Sequence, residues 1–172
     1  MKKYVIMASV VASLMAPTFV EAKTSENTGN VVFDASIKVR TLEAKALKKV
    51  IEASFKSATD MNAADDSYAL HHSKDYVQHV DGKVLNYEEY VTHKKAIKKT
   101  IKSLKVVFHD MLFEGNKVVT RHTAYAVKND DKEIEVQVIA IFEIKGDKII
   151  ACDELTFMQK GERPDRDFGS RH

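Results

Sequence analysis

The sequence predicts an α+β domain in which N-terminal helices pack on a curved antiparallel β-sheet, the element order of a cone-shaped fold. Three observations carry this reading. Apolar residues recur at three- and four-residue spacing between Val39 and Ala58, and again between Tyr90 and Ile101. After Ser103 the apolar period shortens from about 3.6 residues to about 2 and holds there to Gln159. The long segments of that second half are joined by tight turns, so they form a meander rather than crossover units.

The chain opens on a different pattern. Lys2 and Lys3 precede an apolar run from Tyr4 to Ala16, then Pro17 and the small-residue ending Val20-Glu21-Ala22. That order predicts a secretory signal peptide over residues 1–22, cleaved after Ala22, and places the mature protein in the periplasm or outside the cell. The apolar run is shorter than the roughly 20 residues of a membrane span. No later segment is uniformly apolar, so a soluble chain without stable membrane insertion is expected after cleavage. Position 23 is Lys23 and the single cysteine is Cys152, so neither lipid attachment at the cleavage site nor an internal disulfide is expected. Residues 23–30 read as a flexible polar spacer, 31–160 as one folded domain and 161–172 as a charged tail. The formal net charge is +2, and the leader removes two lysines and one glutamate. That balance is a poor electrostatic footprint for nucleic acid. The lysines from Lys94 to Lys105 read as the solvated face of a helix.

Within the domain, Val39, Leu42, Ala46, Val50 and the neighbouring Leu47, Ile51, Phe55 and Ala58 give a long amphipathic helix. A short second helix is expected from about Asn62 to Leu70, with His71 and His72 at its polar, solvent-facing end. Asp75 to Val80 alternates as a short strand and stops at the turn dipeptide Asp81-Gly82. Asn86 and Glu89 have the spacing of a capping box, so a helix starts there. Tyr90, His93, Ile97 and Ile101 share its inner face, while Lys95, Lys98, Lys99 and Lys102 look outward. Strands follow over Leu104–Phe113, Lys117–Lys128, Lys132–Ile144 and Lys148–Gln159. In the third, Ile134, Val136, Val138, Ala140, Phe142 and Ile144 make one apolar face. Ile139 and Ile141 on the other face predict a second buried contact, such as a subunit interface.

Several short segments in this order resemble a known family. They are Asp75-Tyr76-Val77-Gln78-His79-Val80-Asp81-Gly82-Lys83, Tyr90-Val91-Thr92-His93, Glu114-Gly115-Asn116-Lys117-Val118 and Gly146-Asp147-Lys148-Ile149-Ile150 with Glu154-Leu155. Together they resemble the SnoaL-like branch of the nuclear transport factor 2-like superfamily over roughly residues 40 to 171. The ending Asp165-Arg166-Asp167-Phe168-Gly169-Ser170-Arg171 is similar to a subset of that branch. The resemblance implies a homodimer of cones, each holding a small, largely apolar molecule between its helices and the concave sheet face. It implies no cofactor or metal. It leaves open isomerase, cyclase or dehydratase chemistry on one side and a non-catalytic periplasmic binding or interaction module on the other.

Acid–base chemistry beside a carbonyl needs a base of suitable pKa and a group that stabilises the enolate oxygen. The resemblance sets His79 at the position of the base in steroid-isomerase-like relatives, and a histidine holding the turn is the alternative. The oxyanion-supporting acid of those relatives falls near Ala140, which donates nothing. Cyclase-like relatives carry an acid/base carboxylate on the last strand, matched here by Glu154 with Asp153 beside it. Strand alternation admits only one of the two to the pocket. Catalytic candidates are therefore His79 and Glu154. Tyr76, His93, His122, Ala140, Phe142, Cys152 and Asp153 are the candidate ligand contacts, with core packing the alternative for His93, His122 and Cys152. The spacings of His79, His93, His122 and Glu154 match no compact zinc motif. The tail reads either as a solvated extension or as a clasp on the other subunit or the pocket mouth.

Overall fold

The computed structural model describes residues 26–35, 37–64 and 67–166. The leader expected over 1–22 and the end of the tail, 167–172, lie outside the described residues. Strands β1 (Glu26–Thr28) and β2 (Val31–Phe33) form a hairpin whose turn uses Gly29 at φ 73°. The polar segment read as a spacer is thus paired from Glu26 onward. Val31 and Phe33 are buried, and β2 runs parallel to Val106–Phe108 further along the chain. An apolar triplet is too short to show a period, which hid this strand from the sequence.

Helix α1 (Leu42–Thr59) begins at Thr41, whose Oγ1 accepts the Ala44 N–H at 3.0 Å. Its buried stripe runs through Ala44, Ile51 and Ser54, whereas Leu42, expected on it, is 80% exposed. The expected second helix is only a 3-10 turn, Ser67–His71. It runs straight into strand β3 (His72–Val80), so His72 is a buried strand residue and not a solvated helix end. Asp81 (φ 49°) and Gly82 (φ 82°) turn β3 into β4 (Lys83–Asn86); positive φ at both central positions is the hairpin geometry that Asp-Gly favours.

Helix α2 (Tyr87–Thr100) carries the predicted capping box: Asn86 Oδ1 accepts the Glu89 N–H at 3.0 Å, and Glu89 Oε2 accepts the Asn86 N–H at 2.8 Å. The meander follows as β5 (Ile101–Glu114), β6 (Lys117–Lys128), β7 (Glu133–Lys145) and β8 (Lys148–Lys160). All eight strands join one sheet in the order β1-β2-β5-β6-β7-β8-β3-β4. It is mixed, because β3 pairs parallel with β8 and β2 with β5, while the other pairings are antiparallel. Bulges bend it. In β5 an extra residue at His109 moves the buried parity from Val106 and Phe108 to Met111. In β8 another falls between Ile149 and Ala151.

The even positions of β7, Ile134 to Ile144, are all buried on the concave face. The helices close that face, and Phe33, Phe55, Phe108 and Phe142 fill the end under α1. Phe33 stacks on Phe108 at 5.0 Å between ring centroids, and Phe55 meets Phe108 edge-on at 4.9 Å. Past β8 the chain folds back through the 3-10 turn Arg163–Asp165. Asp165 is buried 3.3 Å from Lys128 Nζ, and Glu162 lies 2.9 Å from Lys132 Nζ. Residues 161–166 are therefore anchored to their own sheet, not extended into solvent. Among the described residues no helix is long and apolar enough to cross a membrane.

Candidate functional site

Between the helices and the concave sheet face lies a cavity of about 130 Å3. Alternation along each strand decides what reaches it. On β3 the buried residues are Tyr76, Gln78 and Val80, so Gln78 points inward and His79 outward. On β8 the bulge at Ile150 resets the parity, so Cys152, Glu154 and Thr156 face the cavity, while Asp153, Leu155 and Phe157 face solvent. In the parallel pairing His79 lies opposite Asp153 and Gln78 opposite Cys152. The structure therefore sets the candidates His79 and Asp153 side by side on the exposed outer face. The expected pair His79 and Glu154 does not converge, because Tyr76 and His79 differ in parity and one strand cannot turn both inward.

Of the other candidates, Tyr76, His93, His122, Phe142 and Cys152 line the cavity with Glu154. Ala140 is fully buried opposite Glu154 on β7 but is not part of the lining. His72, Gln78 and Lys94 are among the lining residues that were not expected. His72 packs its ring 4.7 Å from both Tyr76 and Tyr90. Gln78 reaches Glu154. Lys94, read as part of a solvated face, turns inward with its Nζ 5.3 Å from the Tyr90 ring centroid. The sequence did carry that signal, since Lys94 is one helical turn after Tyr90 and one before Ile97.

Glu154 is the centre of the polar groups. Its Oε1 accepts from Gln78 Nε2 at 2.7 Å, and its Oε2 accepts from the Cys152 thiol at 3.7 Å. The Tyr76 hydroxyl donates in turn to Gln78 Oε1 at 3.4 Å. Burial raises the Glu154 carboxyl above its ordinary value, against the opposing pull of the Lys94 charge and the Gln78 hydrogen bond. Burial likewise lowers the Lys94 ammonium, and Glu154 is the main influence holding it charged. Each group is thus the other's counter-charge in a poorly solvated space. Tyr76 and Cys152 are pushed well above their ordinary values by burial first, so both are neutral hydrogen-bonding groups.

Much of the remaining wall is apolar and aromatic. His122 packs against the rings of Phe55 and Phe108, at 5.3 and 5.0 Å, and its Nδ1 is 3.0 Å from Thr120 Oγ1. Burial, then the nearby Lys94 and His109, push it down to about 3, so it is a neutral imidazole at physiological pH. The site thus sets the Glu154 carboxyl, the Lys94 amine and several neutral donors among hydrocarbon and aromatic walls. It can bind a largely apolar molecule by its body and act on a proton near its polar groups.

A helix-capped cone with a polar pocket at the concave sheet face is the class of protein that this fold and site define. The SnoaL-like domain is matched over residues 45–152, and the chain belongs to the SnoaL-like family. An uncharacterized protein of Schizosaccharomyces pombe is 32% identical over 116 residues, which cover 67% of this chain and 89% of that one. Solved structures share the nuclear transport factor 2-like fold. AusH from Aspergillus nidulans superimposes with a TM-score of 0.60 at 11% identity, covering 69% of this chain and 88% of its own. A candidate SnoaL-like polyketide cyclase from Jannaschia sp. CCS1 gives 0.58 at 12% identity, over 69% and 90%. A Mycobacterium tuberculosis LEH-like epoxide hydrolase gives 0.57 at 15% identity, over 66% and 84%.

Proposed function

We propose that this protein binds a small, largely apolar molecule in the cone and moves a proton next to a carbonyl or hydroxyl group, with Glu154 as the acid/base. The observation that carries this is the Glu154 carboxyl, held in the cavity by Gln78 and facing Lys94. In this scheme Glu154 takes a proton from the carbon beside a carbonyl, and the Lys94 ammonium stabilises the charge that develops on oxygen. Lys94 thereby supplies what Ala140 cannot. Fold relatives described as a candidate polyketide cyclase and an LEH-like epoxide hydrolase are compatible with a catalytic carboxyl in such a cone. The test is hydrogen exchange. Enolisable ketones from acetone to 1-tetralone are incubated with the protein in deuterium oxide, and loss of the α-proton signal is followed by NMR. Exchange above the buffer rate that disappears in Glu154→Gln is the expected result. Equal exchange in wild type and Glu154→Gln overturns the mechanism.

The outer sheet face supports the assembly reading. Ile139, Leu155 and Phe157 are exposed there, with Ile139 and Leu155 paired across β7 and β8. This apolar surface is the proposed homodimer contact. The leader pattern at residues 1–22 supports export to the periplasm or beyond. Fractionation of cells producing the full chain, with N-terminal sequencing of the product, tests it, and an uncleaved cytoplasmic product overturns it.

A further inference from the structure

The cavity's volume and polarity restrict its ligand more narrowly than the fold does. Pockets for drug-sized ligands run to roughly 300–1,000 Å3, and an apolar protein cavity of about 150 Å3 holds one benzene. This cavity, at about 130 Å3, is close to the second in volume. Its walls sort by chemistry. Phe55, Phe142, Val138 and Ile97 offer only hydrocarbon, whereas Lys94 and Glu154 bring an ammonium and a carboxyl to the same lining and feel each other's charge. A carboxylate ligand would face the Glu154 charge and an ammonium ligand the Lys94 charge. A neutral oxygen meets neither penalty, because it accepts from the Lys94 ammonium and, as a hydroxyl, also donates to Glu154.

We propose that the ligand is a compact neutral oxygenated molecule of monocyclic size, about six to eight heavy atoms, with its carbonyl or hydroxyl oxygen between Lys94 and Glu154 and its ring against Phe55 and Phe142. Fused polycyclic molecules exceed that volume and are expected to bind more weakly. This inference rests on the pocket reading above, and its test separates the two.

The experiment is ligand binding to the folded full chain by chemical-shift perturbation, with four probes at up to about 10 mM, since ligands this small bind with roughly micromolar to millimolar constants. Cyclohexanone and toluene match each other in size but differ in the oxygen; 1-tetralone and anthrone add one and two fused rings. Cyclohexanone is expected to bind at least tenfold more tightly than toluene and to shift the amides of Lys94 and Glu154, and anthrone is expected to bind more weakly than cyclohexanone. In Lys94→Met the preference for the ketone should vanish while toluene still binds. Equal binding of cyclohexanone and toluene to the wild type overturns the placement of the oxygen and needs no variant. Binding of anthrone as tight as that of cyclohexanone overturns the size limit but leaves the pocket reading standing. Failure of all four probes overturns both.

Discussion

Gln78 Nε2 donates to Glu154 Oε1 at 2.7 Å across the parallel pairing of β3 and β8, and that bond joins two strands far apart in sequence. A hydrogen bond to a carboxylate stabilises the charged form, so Gln78 and the Lys94 charge both hold the Glu154 carboxyl down against the larger effect of burial. The ketone-exchange rate should rise with pH as Glu154 ionises, above the ordinary carboxylate range, and fall as Lys94 loses its proton, below the ordinary lysine range. Both limbs are drawn toward neutrality. Gln78→Leu should move the acid limb to higher pH by about one to two units, the worth of one charge-assisted hydrogen bond. Lys94→Met should move it the same way and remove the alkaline limb. An acid limb at the same pH in wild type and Gln78→Leu would show that another group is the base.

The depressed His122 gives a stability prediction of definite sign. Its folded value is about 3 against an ordinary 6.5, so between those values the unfolded chain binds a proton that the folded chain does not. Its stabilising effect is complete above pH 6.5 and is lost as pH falls toward 3. At pH 4.5, two units into that window, the loss is about 2–3 kcal/mol. Glu154 works in the opposite sense over the acid range, because its raised value favours the protonated folded form. The comparison must therefore isolate His122. Urea unfolding of wild type and His122→Gln at pH 7.5 and 4.5 should show the wild type losing about 2–3 kcal/mol more than the variant. Parallel losses would mean that the imidazole is protonated in the folded state.

Cys152 is buried, and burial followed by the Glu154 charge raises its thiol well above the ordinary value. The thiolate is the reactive form, so an aromatic disulfide reagent at pH 8 should modify the native protein roughly a hundredfold or more slowly than the protein in urea. Prompt reaction of native protein would place the sulfur at the surface and undo the geometry around Glu154.

Much of this architecture was legible in the chain. The capping box at Asn86 and Glu89, the four long strands and the apolar face of β7 follow from local chemistry that no distant contact overrides. The site was half legible. Glu154 and His93 face the cavity as expected, but the choice between Glu154 and Asp153 turned on a bulge at Ile150, and a bulge has no compositional mark. His79 was legible and misread: alternation from an inward Tyr76 puts Gln78 inside and His79 outside. Lys94 was legible from its spacing to Tyr90 and Ile97, but its type outweighed that signal, since a lysine among lysines reads as solvated.

Ile139, Leu155 and Phe157 are each more than half exposed on the outer face, at 53%, 67% and 67%. Gln137 stands opposite Phe157 and Arg121 opposite Ile139, so the patch has polar neighbours of the kind that rim an interface. Buried against a second copy, it would leave a charge introduced at Ile139 or Leu155 without water or a partner, which costs several kcal/mol. The wild type should therefore sediment as a dimer, and Ile139→Glu with Leu155→Glu should raise the dimer dissociation constant at least a hundredfold. Cavity chemistry should survive, because neither side chain reaches the concave face. A wild-type monomer, or a double variant that still dimerises, would mean that this surface is not the contact between copies.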